Sequence, residues 1–220
     1  MAHITIIGGH GKVALLTAPL LAAQGDSITS IVRNDRQVSD VEGTGAKALV
    51  LDIEQASSKE LATAFADSDA IVWSAGAGGG DSIRTYAVDR DAAKRCIDAA
   101  AIAGIKRYIT VSYFDADHPE VFGPADSMFA YAQSKAEADR YLRESDLDWT
   151  ILGPSALTLA PASGRITVDT SRSSPSTPST SRGNVAKVIV AALRSTKTIQ
   201  HTMNFYDGDT DIYTALENLL

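Results

Sequence analysis

The sequence predicts a three-layer α/β/α domain on a doubly wound parallel sheet, with residues 1–220 forming a single domain. Three observations predict it. Strand-like and helix-like segments alternate from end to end, which places helices on both faces of a parallel sheet. The first strand, Ile4-Thr5-Ile6-Ile7, runs into a glycine turn that opens an apolar-periodic helix. Apolar residues make up 45% of the 220-residue chain, enough for one core of ordinary size.

In order along the chain, strands are expected at about 3–7, 27–32, 47–51, 70–74, 107–112, 149–152 and 202–206. Amphipathic helical stretches separate most of them. Thr85–Ala103 carries apolar residues at helical spacing and stops at Gly104. Asp126–Ser145 sets Ala and Leu on one face and charged residues on the other. Trp73 and Trp149 fall inside strands and are assigned to the core. One segment breaks the pattern: Asp169–Ser181 is poor in apolar residues and carries Pro175 and Pro178, so a mobile loop is expected. It reads either as a solvated connector or as a flap, among substrate-side elements at about 153–182.

Composition excludes several classes. A net charge of −7 argues against a nucleic-acid partner. No stretch approaches the roughly 18 apolar residues of a membrane helix. Cys96 is the sole cysteine, which excludes an internal disulfide and a Cys-based zinc cluster. The scattered His3, His10, His118 and His201 lack metal-ligand spacing, so no metal site is expected. A strand so close to Met1 leaves no room for a leader, and a cytoplasmic protein is expected.

Chemistry-bearing residues recur at the strand ends. In the turn after the first strand, Gly8 permits the tight bend and Gly11 lets backbone N–H groups approach a pyrophosphate, with Lys12 beside it. Arg33 ends the second strand, where an acid would bind the 2′-hydroxyl of NAD and an arginine suits the 2′-phosphate of NADP. Arg36 follows closely. At the end of the third strand, Asp52 is placed to accept from an adenine amino group, and the Ile53 N–H to reach a ring nitrogen. Asp52 would serve equally well as charge compensation for a helix start. Ala75 and Gly76 begin a small-residue loop that lets a cofactor lie close to the backbone. Tyr131 and Lys135 are four apart on one helix, and a nearby ammonium favours a phenolate. Ser112, at the end of the fifth strand, is placed to hold a substrate oxygen.

Taken together, these motifs resemble the short-chain dehydrogenase/reductase superfamily. The match is to its atypical branch of NAD(P)H-binding proteins, with NmrA-like and biliverdin reductase B-like members. The anchors are Gly8-Gly9-His10-Gly11-Lys12-Val13-Ala14, Arg33, Leu51-Asp52, Ser74-Ala75-Gly76, Val111-Ser112, Tyr131 to Lys135, Ser145 to Pro154, and Ser181-Arg182-Gly183-Asn184-Val185-Ala186. The resemblance implies a Rossmann fold and a cofactor site built from Gly8, Gly11, Lys12, Val13, Arg33, Asp52, Ile53, Ala75 and Gly76. It also implies that Tyr131 is the acid/base, that Lys135 binds the nicotinamide ribose and lowers the Tyr131 pKa, and that Ser112 orients the substrate. Gly153 stands where the branch usually has Arg, Ala14 replaces a glycine, and the serine strand reads Val-Ser-Tyr.

NADP is the expected cofactor, with NADPH preferred over NADH. The expected function is NADPH-dependent reduction of a small carbonyl, quinone or flavin-like acceptor by a monomer or homodimer. The alternative is an NADP(H)-sensing regulatory protein with little turnover. A sugar-nucleotide epimerase of the extended branch ranks last, because the chain is short for an added substrate domain.

Overall fold

The computed structural model describes residues 1–78, 81–169 and 178–219. Its strands are β1 (His3–Ile7), β2 (Ser27–Val32), β3 (Lys47–Val50), β4 (Ala70–Trp73), β5 (Arg107–Val111), β6 (Asp148–Pro154), β7 (Ala156–Thr158), β8 (Arg165–Val168), β9 (Ser179–Ser181), β10 (His201–Asp207) and β11 (Thr210–Asp211). Its α-helices are α1 (Ala14–Ala22), α2 (Val38–Glu42), α3 (Ser58–Phe65), α4 (Ser82–Thr85), α5 (Ala93–Ile102), α6 (Phe129–Arg143), α7 (Arg182–Arg194) and α8 (Ile212–Glu217).

Among the described residues, nine strands form one sheet in the order β11-β8-β10-β6-β5-β4-β1-β2-β3. The span from β3 to β10 is parallel, while β8 pairs antiparallel with both β10 and β11. Chain order reverses between β1 and β4. Connections on the two sides of that point diverge and leave a crevice at the carboxyl ends of the strands.

Side-chain alternation along β1 divides the core. Ile4 and Ile6 pack under α1, α7 and α8, whereas Ile7 faces Ile71, Trp73 and the apolar sides of α3, α5 and α6. Helix starts are set by side chains. Ser57 and Glu60 form a reciprocal capping box at α3, and Asp211 accepts from two backbone N–H groups at α8. Trp73 and Trp149 are buried, as their places in strands require.

The expected helix over Thr85–Ala103 is a continuous rod from Ser82 to Ile102, but Tyr86–Ala92 within it is wound as a π-helix. Asp89 sits in the middle of that stretch and is buried. The polar segment at 169–181 also differs from expectation where it is described. Ser179–Ser181 is not a loop but a strand, paired in parallel with Ala156–Thr158. Its hydroxyls make this possible. Thr180 donates to Phe205 O and shares a 2.9 Å hydrogen bond with Ser155, so a sequence without apolar residues is buried with its polar atoms satisfied. Residues 170–177 of the expected loop, and Gly79 and Gly80 of the glycine-rich one, lie outside the described residues.

Two features noted in the sequence have structural explanations. A side chain at Gly153 would collide with Asn204 Oδ1. Asn204 fills the space and accepts from the Asp115 N–H, tying β10 to the loop after β5. In Ser181–Ala186, Ser181 caps α7, and Asn184 is buried. The Asn184 amide donates to Ser163 Oγ, Arg165 O and Asp207 Oδ1. This run fastens the β8 hairpin to α7.

Candidate active site at the carboxyl edge of the sheet

Gly8 takes φ +82°, and a Cβ there would stand 2.6 Å from Ala75 Cα. The turn after β1 and the loop after β4 therefore touch backbone to backbone. A Cβ on Gly11 would lie 3.1 Å from Gly8 O, inside the same cradle. Beyond it, Leu15 is the first N–H to donate along the helix, to Gly11 O, and the N–H groups just ahead of it are those a helix start offers to an anion. Around this cradle is a cavity of about 280 Å³, bordered by Gly8, His10, Gly11, Arg33, Gln37, Ile53, Glu54, Ala75, Gly76 and Arg84.

A second cavity, of about 810 Å³, starts at Gly76 and ends at Met128 and Tyr131. A third, of about 800 Å³, shares Met128 and Tyr131 and continues past Ser112, Tyr113, Phe114 and Phe122 to Pro154–Leu157 and Pro178. Gly76 thus separates the first two spaces and Tyr131 the last two. The Tyr113 and Tyr131 rings stand 5.5 Å apart at 41°, which makes the Tyr131 wall aromatic. Residues of β7 and β9 close the far side.

Beneath Tyr131 lies a buried charge cluster. Lys135 is 2% exposed; its ammonium donates to Val111 O at 2.9 Å and stands 4.0 Å from Asp89 Oδ1. Asp89 accepts from the Ala77 N–H through Oδ2, while its buried Oδ1 has no hydrogen-bond partner among the described residues. Asp139 accepts from Ser112 Oγ at 2.5 Å. Burial raises both carboxyl pKa values above the ordinary range, Asp139 to about 6, and the Lys135 charge counters part of that rise. One cation is set against two carboxylates.

A model of the NAD(P)H-binding family matches residues 8–196. The chain belongs to that family. An uncharacterized sugar epimerase, YhfK, of Bacillus subtilis (strain 168) is 35% identical over 98% of this chain and 99% of its own length. A Bacillus halodurans structure provisionally assigned as an NAD-dependent epimerase/dehydratase superposes with TM-score 0.91 at 32% identity, covering 100% of both chains. The oxidoreductase ylbE from Lactococcus lactis superposes with TM-score 0.85 at 29% identity, over 99% of this chain and 96% of that one. The fold is of the NAD(P)-binding oxidoreductase type within the atypical short-chain branch.

The 280 Å³ cavity brings together Gly8, Gly11, Arg33, Ile53, Ala75 and Gly76 of the expected cofactor residues. Lys12, Val13 and Asp52 are not among the residues lining it. Lys12 is exposed, Val13 is packed under α1, and Asp52 Oδ1 accepts from the Glu54 N–H at 3.0 Å, turning its own loop. His10 borders the cavity and pairs with Asp40 at 2.9 Å.

Ser112 and Tyr131 border the same 800 Å³ cavity and Lys135 is buried behind them, and one correction applies to the expected electrostatics. Burial, with the Asp89 and Asp139 carboxylates, pushes the Tyr131 phenol above its ordinary pKa rather than below it. Burial is the larger cause, and the Lys135 ammonium is directed to Val111 O and Asp89. Ser112 likewise donates its proton to Asp139. Asp89, Asp139, Glu54 and Arg84 were not singled out in the sequence. Asp139 was within reach of it, because 131, 135 and 139 fall on one helical stripe.

No helix among the described residues is long and apolar enough to cross a membrane. No group of three or more His, Cys, Asp or Glu among them is arranged to hold a metal.

Proposed function

We propose that the protein is an NADP-dependent oxidoreductase that reduces a small carbonyl, quinone or flavin-like acceptor. The observation that carries this reading is the trough itself. It runs from the Gly8–Gly11 cradle and Arg33, past Gly76, to an aromatic cavity at Tyr131. The residues fit a dinucleotide, since Gly8 and Gly11 let the β1 turn close against Ala75 and Gly8 O at the start of α1, where a pyrophosphate is held. When bound, the nicotinamide supplies a hydride equivalent to the acceptor.

The protein's own groups have distinct tasks. The cradle orients the pyrophosphate, and Arg33 takes the 2′-phosphate. Lys135, held at one point by Val111 O and Asp89, would bind the nicotinamide ribose. Tyr131, protonated at neutral pH, donates to an acceptor oxygen at the end of the trough. The relatives' names point to sugar epimerisation. The lining by Tyr113, Phe114, Phe122 and Met128 favours a flat conjugated acceptor over a polyhydroxylated one.

Arg33→Ala should weaken NADPH binding at least about tenfold and leave NADH binding nearly unchanged. A titration followed by intrinsic Trp fluorescence checks this, and the absence of binding by either nucleotide to the wild type removes the reading. Tyr131→Phe should lower turnover of a carbonyl acceptor at least about a hundredfold. Steady-state rates for the two proteins decide the point, and equal rates would free Tyr131 of the role.

One observation favours a second reading, a sensor of NADP(H) state. Ser112 is committed to Asp139, so the hydroxyl that would orient a substrate is already used. That reading calls for tight NADPH binding with no acceptor turned over.

A further inference from the structure

At the adenosine end of the cradle, the two arginines do not stand free. Glu54 Oε1 accepts from Arg84 Nε at 3.1 Å and Nη2 at 3.0 Å, and from Arg33 Nη1 at 3.3 Å. Arg84 is anchored further by a 2.7 Å donation from Nη1 to Ala77 O. All three side chains border the 280 Å³ cavity. Their exposures differ: the Glu54 side chain is 17% exposed, Arg84 34% and Arg33 50%.

Glu54 is also fixed through its backbone. Its N–H donates to Asp52 Oδ1, and Arg95 donates to the carbonyls of Ile53, Glu54 and Ala56. The carboxylate therefore stays at this edge of the cavity, whatever enters. Of its partners, Arg33 makes the longest and most exposed contact and is the one that can leave.

We infer that Glu54 is a specificity-determining residue, a built-in anion that competes with the cofactor's 2′-phosphate for Arg33 and narrows the preference for NADPH over NADH. This rests on the cofactor reading above. A 2′-phosphate carries close to two negative charges and must draw Arg33 away from Glu54 while remaining within a few ångströms of that carboxylate. A 2′-hydroxyl has no charge to repel and can donate to the same carboxylate. Glu54 thus opposes the phosphorylated cofactor and tolerates the other, which is discrimination by a repulsive element. Arg84 restrains this effect by holding Glu54 away from full engagement with Arg33.

The test is calorimetric titration of the wild type, Glu54→Gln and Arg84→Met. The ligands are NADPH, NADH, adenosine 2′,5′-bisphosphate and adenosine 5′-monophosphate. Glu54→Gln should bind NADPH and the bisphosphate about tenfold more tightly, with NADH and the monophosphate changed less than about twofold. Arg84→Met should shift the NADPH-to-NADH ratio the opposite way, because Glu54 is then left to Arg33 alone. If both variants move the ratio in the same direction, or neither moves it, Glu54 only braces the loop and the inference is overturned. Binding of neither dinucleotide by the wild type overturns the cofactor reading and this inference with it. Normal wild-type binding with an unmoved ratio overturns the inference alone.

Discussion

Lys135→Met is expected to destabilise the fold by about 3–5 kcal/mol at pH 8, and by much less at pH 5. The substitution keeps the stem and removes the cation set against Asp89 and Asp139, which are each 1% exposed. Both carboxyls already have raised pKa values in the folded protein, Asp139 to about 6. A raised carboxyl pKa means that the folded state binds the proton more tightly than the unfolded chain does. The associated stability is present below the unfolded value near 4 and is lost as pH rises through about 6. Without Lys135 each buried carboxylate loses a counter-charge and the loss deepens. At pH 5 Asp139 is largely neutral and the cation is less missed there. Urea unfolding of wild type and variant at the two pH values checks this. A destabilisation independent of pH would mean that packing of the lysine stem, not its charge, is what the site uses.

Gly8→Ala is expected to cost about 2–4 kcal/mol and to abolish measurable dinucleotide binding. Roughly 1 kcal/mol comes from placing an L-residue at positive φ, and about 1–3 kcal/mol from overpacking. The overpacking is specific, since the new methyl would meet Ala75 Cα, N and Cβ at 2.6, 2.8 and 2.9 Å. Relief requires the turn and the β4 loop to part, which opens the cradle. Gly25→Ala is the matched control, because Gly25 has φ +85° with nothing within 4 Å of its would-be Cβ. It should show the conformational part alone and bind normally. Equal losses in the two variants would show that close approach to Ala75 is not the reason for Gly8.

The parallel half of the sheet was legible because its signals are local. Ile4–Ile7, Ile28–Val32 and Ala70–Trp73 are short apolar runs bounded by turn residues, and their observed limits fall within a residue or two of expectation. The glycine turn and Arg33 follow from the same strand ends. The β7–β9 pair was not legible, because Ser179-Thr180-Ser181 carries no apolar residue and is stabilised by hydroxyl bonds to distant segments. Nor were the buried charges. In the helix over Asp126–Ser145, Lys135 and Asp139 have the i, i+4 spacing of a solvent-exposed pair, and only the packing of β5 and the Tyr86–Ala92 segment against them shows otherwise. Glu54 and Arg84 lie 30 residues apart, a separation at which a pairing is set by the fold and not by neighbouring sequence.

The π-wound stretch at Tyr86–Ala92 constrains how this chain can diverge. Each residue of an α-helix turns its successor by about 100°, and a wider turn offsets the phase of everything beyond it. On one side of the stretch Asp81, Arg84 and Thr85 border the two cavities that meet at Gly76, and on the other Ala93, Cys96, Ile97 and Ala100 belong to the core. A one-residue deletion would restore regular winding but rotate one set away from its surroundings. An insertion would do the same in the other sense. Residue identities here are free to drift within their size and charge, while the number of residues between Arg84 and Ala93 is not. In alignments of descendants, this segment should accumulate substitutions and no gaps.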